Sequence, residues 1–357
     1  MNTIINRAKE GKFVLIAEIG VNYYDIAKKL NITVMEAAKL MVKEAKESGI
    51  HAVKFQTYKA GTLAAKESPS YWDTSEETTT SQYELFKKFD SFTYENYKEL
   101  AQYCEDLEIE FLSTAFDIES ADYLYDLMNV YKISSSDLNN LPFVEYQAKK
   151  GKPILLSVGA ANVDEIDQTL ATIREYNDQP IILLHCVLEY PTPSNHANLN
   201  KIVSLKERYP HVIVGYSDHT KPDIDADIIK TAFNLGAIVV EKHFTLDKTL
   251  PGNDHYHAMD PNDARKIVKG IDFIQEIRGS YAINYLETEL ASRKNARRSL
   301  VSVGFIKKGQ IIDDDMLTFK RPGTGIPPSD IKNIIGKKAA VNITNDSILK
   351  YEMIEKE

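Results

Sequence analysis

Two histidines stand where neighbouring apolar runs of the sequence end. His219 lies near the end of GYSDHT, and His243 lies within VVEKHFTLD. Ser217 and Glu241 precede them by two positions, so the period of a β-strand would put both members of each pair on one face. Imidazole nitrogens suit a borderline divalent metal. Two histidines alone would leave open coordination positions, as a catalytic Lewis acid requires.

Other strand-like runs also end on polar side chains. In chain order these residues are Glu18, Lys54, Gln56, Thr114, Lys132, Ser135, Ser157, His185, Tyr190, Ser217, His219, Glu241 and His243. Each has a structural explanation on its own, such as a rim lysine, a satisfied histidine or a serine N-cap. Charges inside apolar strands are costly, however, unless they are paired or lie in a cleft. The lysines and serines among them are donors that suit phosphate and carboxylate groups.

Eight short apolar runs, rich in β-branched residues, would bring these side chains together. They are FVLIAEIG, AVKFQTY, EFLSTAF, VYKISSS, PILLSVG, IILLHCV, VIVGYSD and IVVEKHF. Near-continuous apolarity is typical of parallel strands covered on both faces, and helical patterns such as TVMEAAKLMVKEAKESG separate most of the runs. The alternation predicts an α/β fold of the (β/α)8 TIM-barrel type, with reactive groups at the C-terminal ends of the strands. A doubly wound open sheet would need a glycine-rich phosphate turn, which AEIGVNYYD lacks.

The pattern also divides the chain into parts. Residues 59–92 form a long polar insertion, and its Trp72 and tyrosines favour an ordered lid beside the barrel mouth over a disordered loop. We expect the barrel domain to span residues 1–280 and a charged linker to span 281–297. Residues 298–357 contain turn signals such as RPGTG and are expected to form a small, β-rich module. So small a module is expected to dock onto another surface.

The composition excludes several classes of protein. The net charge of −9 argues against a nucleic-acid binder, which needs a basic face. Cys104 and Cys186 are too few for a disulfide scaffold and are expected to be buried free thiols. The N-terminal MNTIINRAKEGK lacks the apolar region of a signal peptide, and no apolar run is long enough to span a membrane. These features favour a cytoplasmic protein without membrane partners.

The chain resembles the sialic acid synthase family, which includes legionaminate and pseudaminate synthases, over nearly its whole length. The resemblance is carried by an ordered set of motifs: AEIGVN, VKFQTYKAGTL, FLSTAFD, YKISSSD, PILLSVGA, LLHCVLEYPTP, GYSDHT and EKHFT. The C-terminal module resembles that family's antifreeze-like (SAF) domain, including GFIKKGQII and KRPG. Each motif is weak alone, whereas the ordered set is specific.

This resemblance implies a reaction. Phosphoenolpyruvate condenses with the open-chain aldehyde of an N-acylated aminosugar, typically N-acetylmannosamine. Water attacks C2, phosphate leaves by C–O cleavage, and the product is a nonulosonic acid. The resemblance also implies a divalent metal, Mn²⁺ first and Mg²⁺ or Co²⁺ as alternatives, held by His219 and His243.

Motif positions further imply roles for individual residues. The residues expected to bind phosphoenolpyruvate are Lys54, Thr114, Lys132, Ser135, Ser157 and Ser217. The expected catalytic carboxylates are Glu18, Asp137 and Asp254, the last reaching a metal-bound water. Gln56, Tyr190 and Arg321 are expected at the sugar. Arg321 of the partner subunit would reach the N-acyl group, which implies a domain-swapped homodimer.

Three departures from the family pattern bear on the mechanism. Tyr23 follows Asn22 where relatives often have histidine, and Asp137 stands in SSD where relatives often have SGE. Both leave open which carboxylate is the base. Leu188 stands in HCVLEYP where some members have a substrate-contacting asparagine. Leucine cannot donate a hydrogen bond, so the identity of the sugar is also open.

Three other functions therefore compete with N-acetylneuraminate synthesis. A legionaminic or pseudaminic acid synthase would act on a deoxygenated, diacylated sugar, with which Leu188 is compatible. A metal-dependent aldolase using pyruvate would not need the phosphate-type donors. A non-catalytic glycan-binding protein should have lost the charges at the run ends, and Glu18, Lys54 and Lys132 are all present.

Overall fold

The eight apolar runs form eight parallel strands that pair in chain order and close into a barrel. The computed structural model describes residues 2–72, 74–252 and 254–356. The strands are β1 (Val14–Gly20), β2 (Ala52–Thr57), β3 (Glu110–Ala115), β4 (Tyr131–Ile133), β5 (Ile154–Ser157), β6 (Ile181–Cys186), β7 (Ile213–Asp218) and β8 (Val239–His243). The predicted (β/α)8 architecture is confirmed.

The α-helices of the barrel unit are α1 (Thr3–Lys9), α2 (Tyr23–Leu30), α3 (Val34–Glu47), α4 (Ala60–Leu63), α5 (Gln82–Lys87), α6 (Tyr94–Asp106), α7 (Ile118–Tyr123), α8 (Leu141–Ala148), α9 (Val163–Tyr176), α10 (Asn200–Arg208), α11 (Asp227–Leu235) and α12 (Pro261–Arg278). Helix α1 precedes the first strand, α4 and α5 lie within the insertion, and the other helices of the barrel unit connect its strands or follow the last one. The start of α3 is fixed by a capping box between Thr33 and Glu36. Within the described residues, no helix is long and apolar enough to cross a membrane.

The barrel interior is apolar at its N-terminal end and polar at its C-terminal end. Val14 and Ile16 of β1 belong to an interior apolar cluster, and Glu18 follows on the same face of the strand. On β2, Ala52 belongs to that cluster and Lys54 is the next inward residue. Because every second side chain points inward, each of these strands places apolar residues low in the barrel and the predicted polar residue near its C-terminal end.

Helix α1 closes the floor of the barrel. Ile4 and Ile5 are buried against the interior cluster. The backbone N–H of Ile4 donates to Glu110 Oε2 at 2.7 Å. Burial raises the pKa of Glu110 to about 7. The N-terminus is therefore a structural plug of the barrel.

One strand position requires glycine because two strands approach closely there. A Cβ on Gly215 of β7 would lie 2.3 Å from the carbonyl oxygen of Val239 and 2.5 Å from Leu184 Cδ2. No side chain fits at such distances without moving backbone. With glycine at position 215, β7 and β8 can pair closely enough to place Ser217 opposite Glu241.

The contacts divide the chain into two units, Met1–Arg278 and Gly279–Glu357. The second unit contains α13 (Leu290–Ala296) and an antiparallel pair of strands, β9 (Ser299–Ser302) and β10 (Leu317–Lys320). Its own core is mostly isoleucine and leucine. Gly323 N–H donates to the Lys294 carbonyl at 2.8 Å. Part of the segment expected to be a linker is thus hydrogen-bonded to the small β-rich module.

Candidate functional site

The pairing register of the strands places predicted site residues side by side. Glu18 is opposite Lys54 on one side and opposite His243 on the other. Thr114 is opposite Lys132. Because a parallel barrel brings all C-terminal strand ends to one rim, residues far apart in sequence become neighbours there.

Lys54 lies at the centre of a buried polar cluster. Its ammonium forms an ion pair with Glu18 and lies 3.8 Å from Glu241 Oε1. It also donates to Thr114 Oγ1 at 2.9 Å. Gln56 Nε2 donates to the other oxygen of Glu18 at 2.8 Å. Four of these five side chains are almost fully buried, so their charges interact with little screening from water.

Burial and charge act in opposite directions on these groups. Burial raises the pKa of Glu18 to about 7, although Lys54 lowers it. Burial alone would lower the pKa of Lys54, but attraction to Glu18 and Glu241 more than offsets this effect, and the pKa is raised. The lysines in turn hold the pKa of Glu241 below its ordinary value despite burial. A glutamate that titrates near neutral pH is suited to general acid–base chemistry.

Lys132 and two serines present donors to the same interior. Burial lowers the pKa of Lys132, and its ammonium donates to the Ile133 carbonyl at 3.3 Å. Ser217 Oγ donates to Glu241 Oε1 at 3.3 Å. Ser157 Oγ is buried and has no hydrogen-bond partner among the described residues. Such a group is suited to an anionic ligand.

Ser135 is held at the junction of three strand-end loops. The backbone N–H of Gly159 donates to Ser135 Oγ at 2.9 Å. A Cβ on Gly159 would lie 2.9 Å from that oxygen and 3.1 Å from both Cys186 Sγ and Leu188 Cγ. Glycine is therefore required for this close packing. Leu188 is 39% exposed, so an apolar side chain is presented at this end of the barrel.

Two predicted site residues lie outside these contacts. Asp137 follows β4, where its carboxylate accepts a hydrogen bond from Ser134 Oγ at 2.9 Å within its own turn. Arg321 is an exposed residue after β10 in the second unit. Tyr23 is fully buried and packs against Phe92, with ring centroids 4.9 Å apart.

The predicted histidine pair is brought together beside this cluster. The rings of His219 and His243 have centroids 5.5 Å apart. His219 Nδ1 lies 2.8 Å from the Val187 carbonyl oxygen, which can only accept, so Nδ1 carries the hydrogen. In the neutral ring Nε2 is then the unprotonated nitrogen, which is the form that binds metals. Tyr190 lies against His219, with centroids 4.1 Å apart.

A third histidine joins this group. His243, Asp254 and His257 each offer a ligand atom, and these atoms all lie within 4.8 Å of one another. Burial, reinforced by neighbouring imidazoles, holds the pKa values of His243 and His257 well below the ordinary range. Neutral imidazoles beside a carboxylate fit a divalent transition metal. His257 was missed by the strand-end analysis because it lies in the loop after β8.

A cavity opens beside these residues. Its polar lining includes Gln56, His243 and Asp254, and its aromatic lining includes Tyr71 and Trp72 of the insertion. The Trp72 indole donates to two carbonyls of the insertion, those of residues 77 and 79, at 3.2 and 3.1 Å. The described part of the insertion therefore forms one wall of the cavity.

Comparisons with known proteins agree with this geometry. The NeuB family model matches residues 41–282, and the SAF domain model matches residues 297–355. The chain is 35% identical to an N,N'-diacetyllegionaminic acid synthase of Legionella pneumophila, over 99% of this chain and 98% of that protein. It is 37% identical to a protein of the same name from Campylobacter jejuni, over 95% of this chain and 99% of that protein.

A solved structure is also similar. The N-acetylneuraminic acid synthetase of Leptospira borgpetersenii, crystallised with citrate, has a TM-score of 0.67 and 28% identity. The match covers 79% of this chain and 90% of that one.

We expect Glu18→Gln to change how the stability of the metal-free protein depends on pH. Burial raises the pKa of Glu18 to about 7, whereas an unfolded glutamate titrates near ~4.3. The folded state binds the proton more tightly, so the wild type loses stability relative to the non-titrating variant as pH rises between these values. Urea unfolding should show a relative shift of about 1–3 kcal/mol between about pH 5 and pH 8.

The exposed residue Glu47 provides the control, since Glu47→Gln makes the same chemical change at the protein surface. Only the change with pH is compared, because Glu18→Gln also removes an ion pair with Lys54. Parallel curves for Glu18→Gln and wild type would contradict the assignment.

Proposed function

We propose, since the chain belongs to the NeuB family, that it condenses phosphoenolpyruvate with an N-acylated aminosugar and releases phosphate. This makes it a transferase of the N-acetylneuraminate synthase type. The observation that carries the proposal is the convergence of Glu18, Lys54 and Lys132 at one barrel rim, beside His219 and His243.

In this proposal the phosphate and carboxylate of phosphoenolpyruvate bind within the barrel end. Lys132 is the principal cation, because the carboxylates of Glu18 and Glu241 already neutralise Lys54. The hydroxyl groups of four residues complete the anion site. They are Thr114, Ser135, Ser157 and Ser217. The unpartnered hydroxyl of Ser157 supports this arrangement, since a buried donor needs an acceptor.

The proposed reaction joins C3 of phosphoenolpyruvate to the aldehyde carbon of the sugar and releases phosphate from C2. Water adds to C2, and one of its protons passes by way of Glu18 to the aldehyde oxygen, which becomes a hydroxyl. The C2–O bond to phosphate then breaks as the C2 hydroxyl gives its proton to the departing phosphate and becomes the ketone. A pKa near 7 suits Glu18 to this exchange. Asp137, whose pKa is also raised by burial, is the alternative base.

The metal belongs at the boundary between the anion site and the cavity. His219, His243 and Asp254 would hold it, and we propose Mn²⁺, with Mg²⁺ and Co²⁺ as alternatives. When bound, a divalent ion polarises the aldehyde carbonyl as a Lewis acid. His243 Nδ1 is buried and has no hydrogen-bond partner among the described residues, and Asp254 Oδ2 lies 3.7 Å from it, which supports a ligand at this point. Asp254, which the family resemblance implies at a metal-bound water, is thus proposed as a ligand itself, because its oxygen lies within 4.8 Å of the ligand atom of His243.

The aminosugar is placed in the cavity beneath the insertion. Gln56 and Tyr190, which line it, would contact the sugar. Leu188 and the aromatic wall favour a diacetamido, deoxygenated hexose over N-acetylmannosamine, because apolar surfaces suit methyl groups better than hydroxyls. The two similar diacetyllegionaminic acid synthases favour the same acceptor.

We further propose that residues 1–280 form the synthase domain and that residues 298–357 form an SAF domain, joined by residues 281–297. Arg321 of the partner subunit would contact the N-acyl group within a domain-swapped homodimer. A guanidinium offers a fixed fork of donors that suits an amide carbonyl. The exposure of Arg321 and the SAF match support this role.

We expect phosphate release from phosphoenolpyruvate only when Mn²⁺ and an N-acyl aminosugar are both present. The panel is N-acetylmannosamine, its phosphorylated form and diacetamido hexoses, with phosphate and the nonulosonic acid measured. Chelation should abolish activity, and Mn²⁺ should restore it. Product formation from pyruvate would instead identify an aldolase, and sugar binding without turnover would identify a glycan-binding protein.

We expect Lys132→Met to impair the use of phosphoenolpyruvate. Removing a charge-assisted contact worth about 1.5–4 kcal/mol should lower kcat/KM for phosphoenolpyruvate by about one to three orders of magnitude. Methionine keeps most of the buried volume. The exposed Lys98→Met is the matched control and should behave as wild type. Normal kinetics in Lys132→Met would exclude Lys132 from the anion site.

We expect activity to return when two inactive variants exchange subunits. In a mixed dimer of His219→Ala and Arg321→Ala, one composite site carries both lesions and the other is intact. Random exchange makes about half of the dimers mixed, so about a quarter of wild-type activity should return. Mass spectrometry verifies the mixed dimers. If they are present without activity, each Arg321 serves its own barrel or no site.

A further inference from the structure

His257 occupies a fixed position in the loop that follows β8. Two residues later, the backbone N–H of Met259 donates to the His243 carbonyl at 2.8 Å. Thr245 N–H donates to the Met259 carbonyl at 3.0 Å. The loop therefore leaves β8 and returns to pair with its end, which holds His257 beside the last residue of the strand.

The surroundings of His257 leave its ring nitrogens unsatisfied. The side chain is fully buried, and neither Nδ1 nor Nε2 has a hydrogen-bond partner in the described part of the chain. Its ring lies 4.8 Å from that of His243, 5.2 Å from that of Tyr256 and 5.8 Å from that of Tyr190. A buried polar group without a partner is costly, and a bound ligand would remove that cost.

Two other buried histidines have structural roles, because their rings are hydrogen-bonded to other groups of the protein. His185 Nε2 is hydrogen-bonded to the Ala197 carbonyl at 2.8 Å. His255 uses both nitrogens, with Thr245 Oγ1 at 2.8 Å and Asp25 Oδ2 at 3.3 Å. Among the described residues, His257, two positions along the same loop, has neither kind of partner. One of its nitrogens lies within 4.8 Å of a ligand atom of His243 and one of Asp254.

We propose that His257 is a direct ligand of the divalent metal, in addition to His219, His243 and Asp254. The proposal rests on the divalent-metal site proposed above and extends its ligand set, because the family resemblance accounts for only two histidines. The supporting geometry is the mutual approach of ligand atoms from His243, Asp254 and His257 within 4.8 Å.

The extra imidazole has a consequence for metal choice. Mg²⁺ prefers oxygen ligands and retains several waters, whereas Mn²⁺, Co²⁺ and Zn²⁺ accept imidazole nitrogen readily. Three imidazoles and one carboxylate would therefore select a transition-metal dication over Mg²⁺. Replacing His257 should lower this selectivity as well as the affinity.

The test measures binding of the metal alone to the full-length, metal-free chain. Co²⁺ and Mg²⁺ are titrated calorimetrically into wild type, His257→Gln and His51→Gln. His51 is the matched control, because it is a partly buried histidine at the N-terminal end of β2, where its Nδ1 accepts from Leu15 N–H. We expect the Co²⁺ Kd of His257→Gln to rise at least about tenfold, while His51→Gln binds as wild type.

A spectroscopic count of bound nitrogens separates a ligand from a residue that acts through the fold. Electron spin-echo modulation of the Mn²⁺-loaded protein should lose one directly bound imidazole in His257→Gln. Unchanged affinity and an unchanged nitrogen count would overturn the proposal. If the variant fails to fold by circular dichroism, Zn²⁺ titration of wild type with ¹⁵N-labelled histidine decides, and an unperturbed His257 resonance overturns it.

These outcomes distinguish the proposal from the function on which it rests. Wild type that binds no divalent metal overturns both the metal site and the role of His257. Wild type that binds metal independently of His257 overturns the role of His257 alone. Metal binding that requires His257, in a protein that releases no phosphate from phosphoenolpyruvate, supports the ligand assignment and contradicts only the proposed reaction.

Discussion

The arrangement of the barrel end depends on the placement of Lys54 between two buried carboxylates. An isolated ammonium would be expensive there, and so would either glutamate alone. Lys54 contacts Glu18 and lies 3.8 Å from Glu241, so its charge is balanced twice over. The second buried lysine, Lys132, also holds the pKa of Glu241 below its ordinary value. A trianionic substrate therefore meets a site that has been assembled in advance from paired charges.

A second buried ion pair lies on the outer face of the sheet, next to His219 and His243. Asp218 and Lys242 directly precede His219 and His243, so strand alternation points them to the opposite face of the sheet. Lys242 Nζ lies 2.6 Å from Asp218 Oδ2 and donates to the Thr220 carbonyl at 2.6 Å. These contacts join the ends of β7 and β8. Alternate residues of these two strands therefore have different roles. Those that face inward carry the chemical groups, and those that face outward hold the strand ends together.

The strands and most of the barrel-end residues could be predicted because their signal is periodic. Eight apolar runs with polar ends specify a barrel, and the register then places Glu18 beside Lys54. Helix α1 and His257 could not be found in this way. The first is a short amphipathic segment whose burial depends on the closed floor of the barrel. His257 lies in a loop, where neither the strand nor the helix period applies, and its proximity to His243 arises only from the return of the chain at Met259.

The site separates two kinds of substrate recognition. Deep in the barrel, charged groups and hydroxyls form a surface suited to a small anion, whereas the outer cavity is walled by Tyr71 and Trp72 of the insertion. Gln56 belongs to both regions, since it donates to Glu18 and also lines the cavity. His243 does the same, because it is opposite Glu18 in the sheet and lines the cavity as well. In the proposed function, variation in the insertion would change the accepted sugar without disturbing the anion site, because the insertion lines the cavity whereas the strands carry the charged groups.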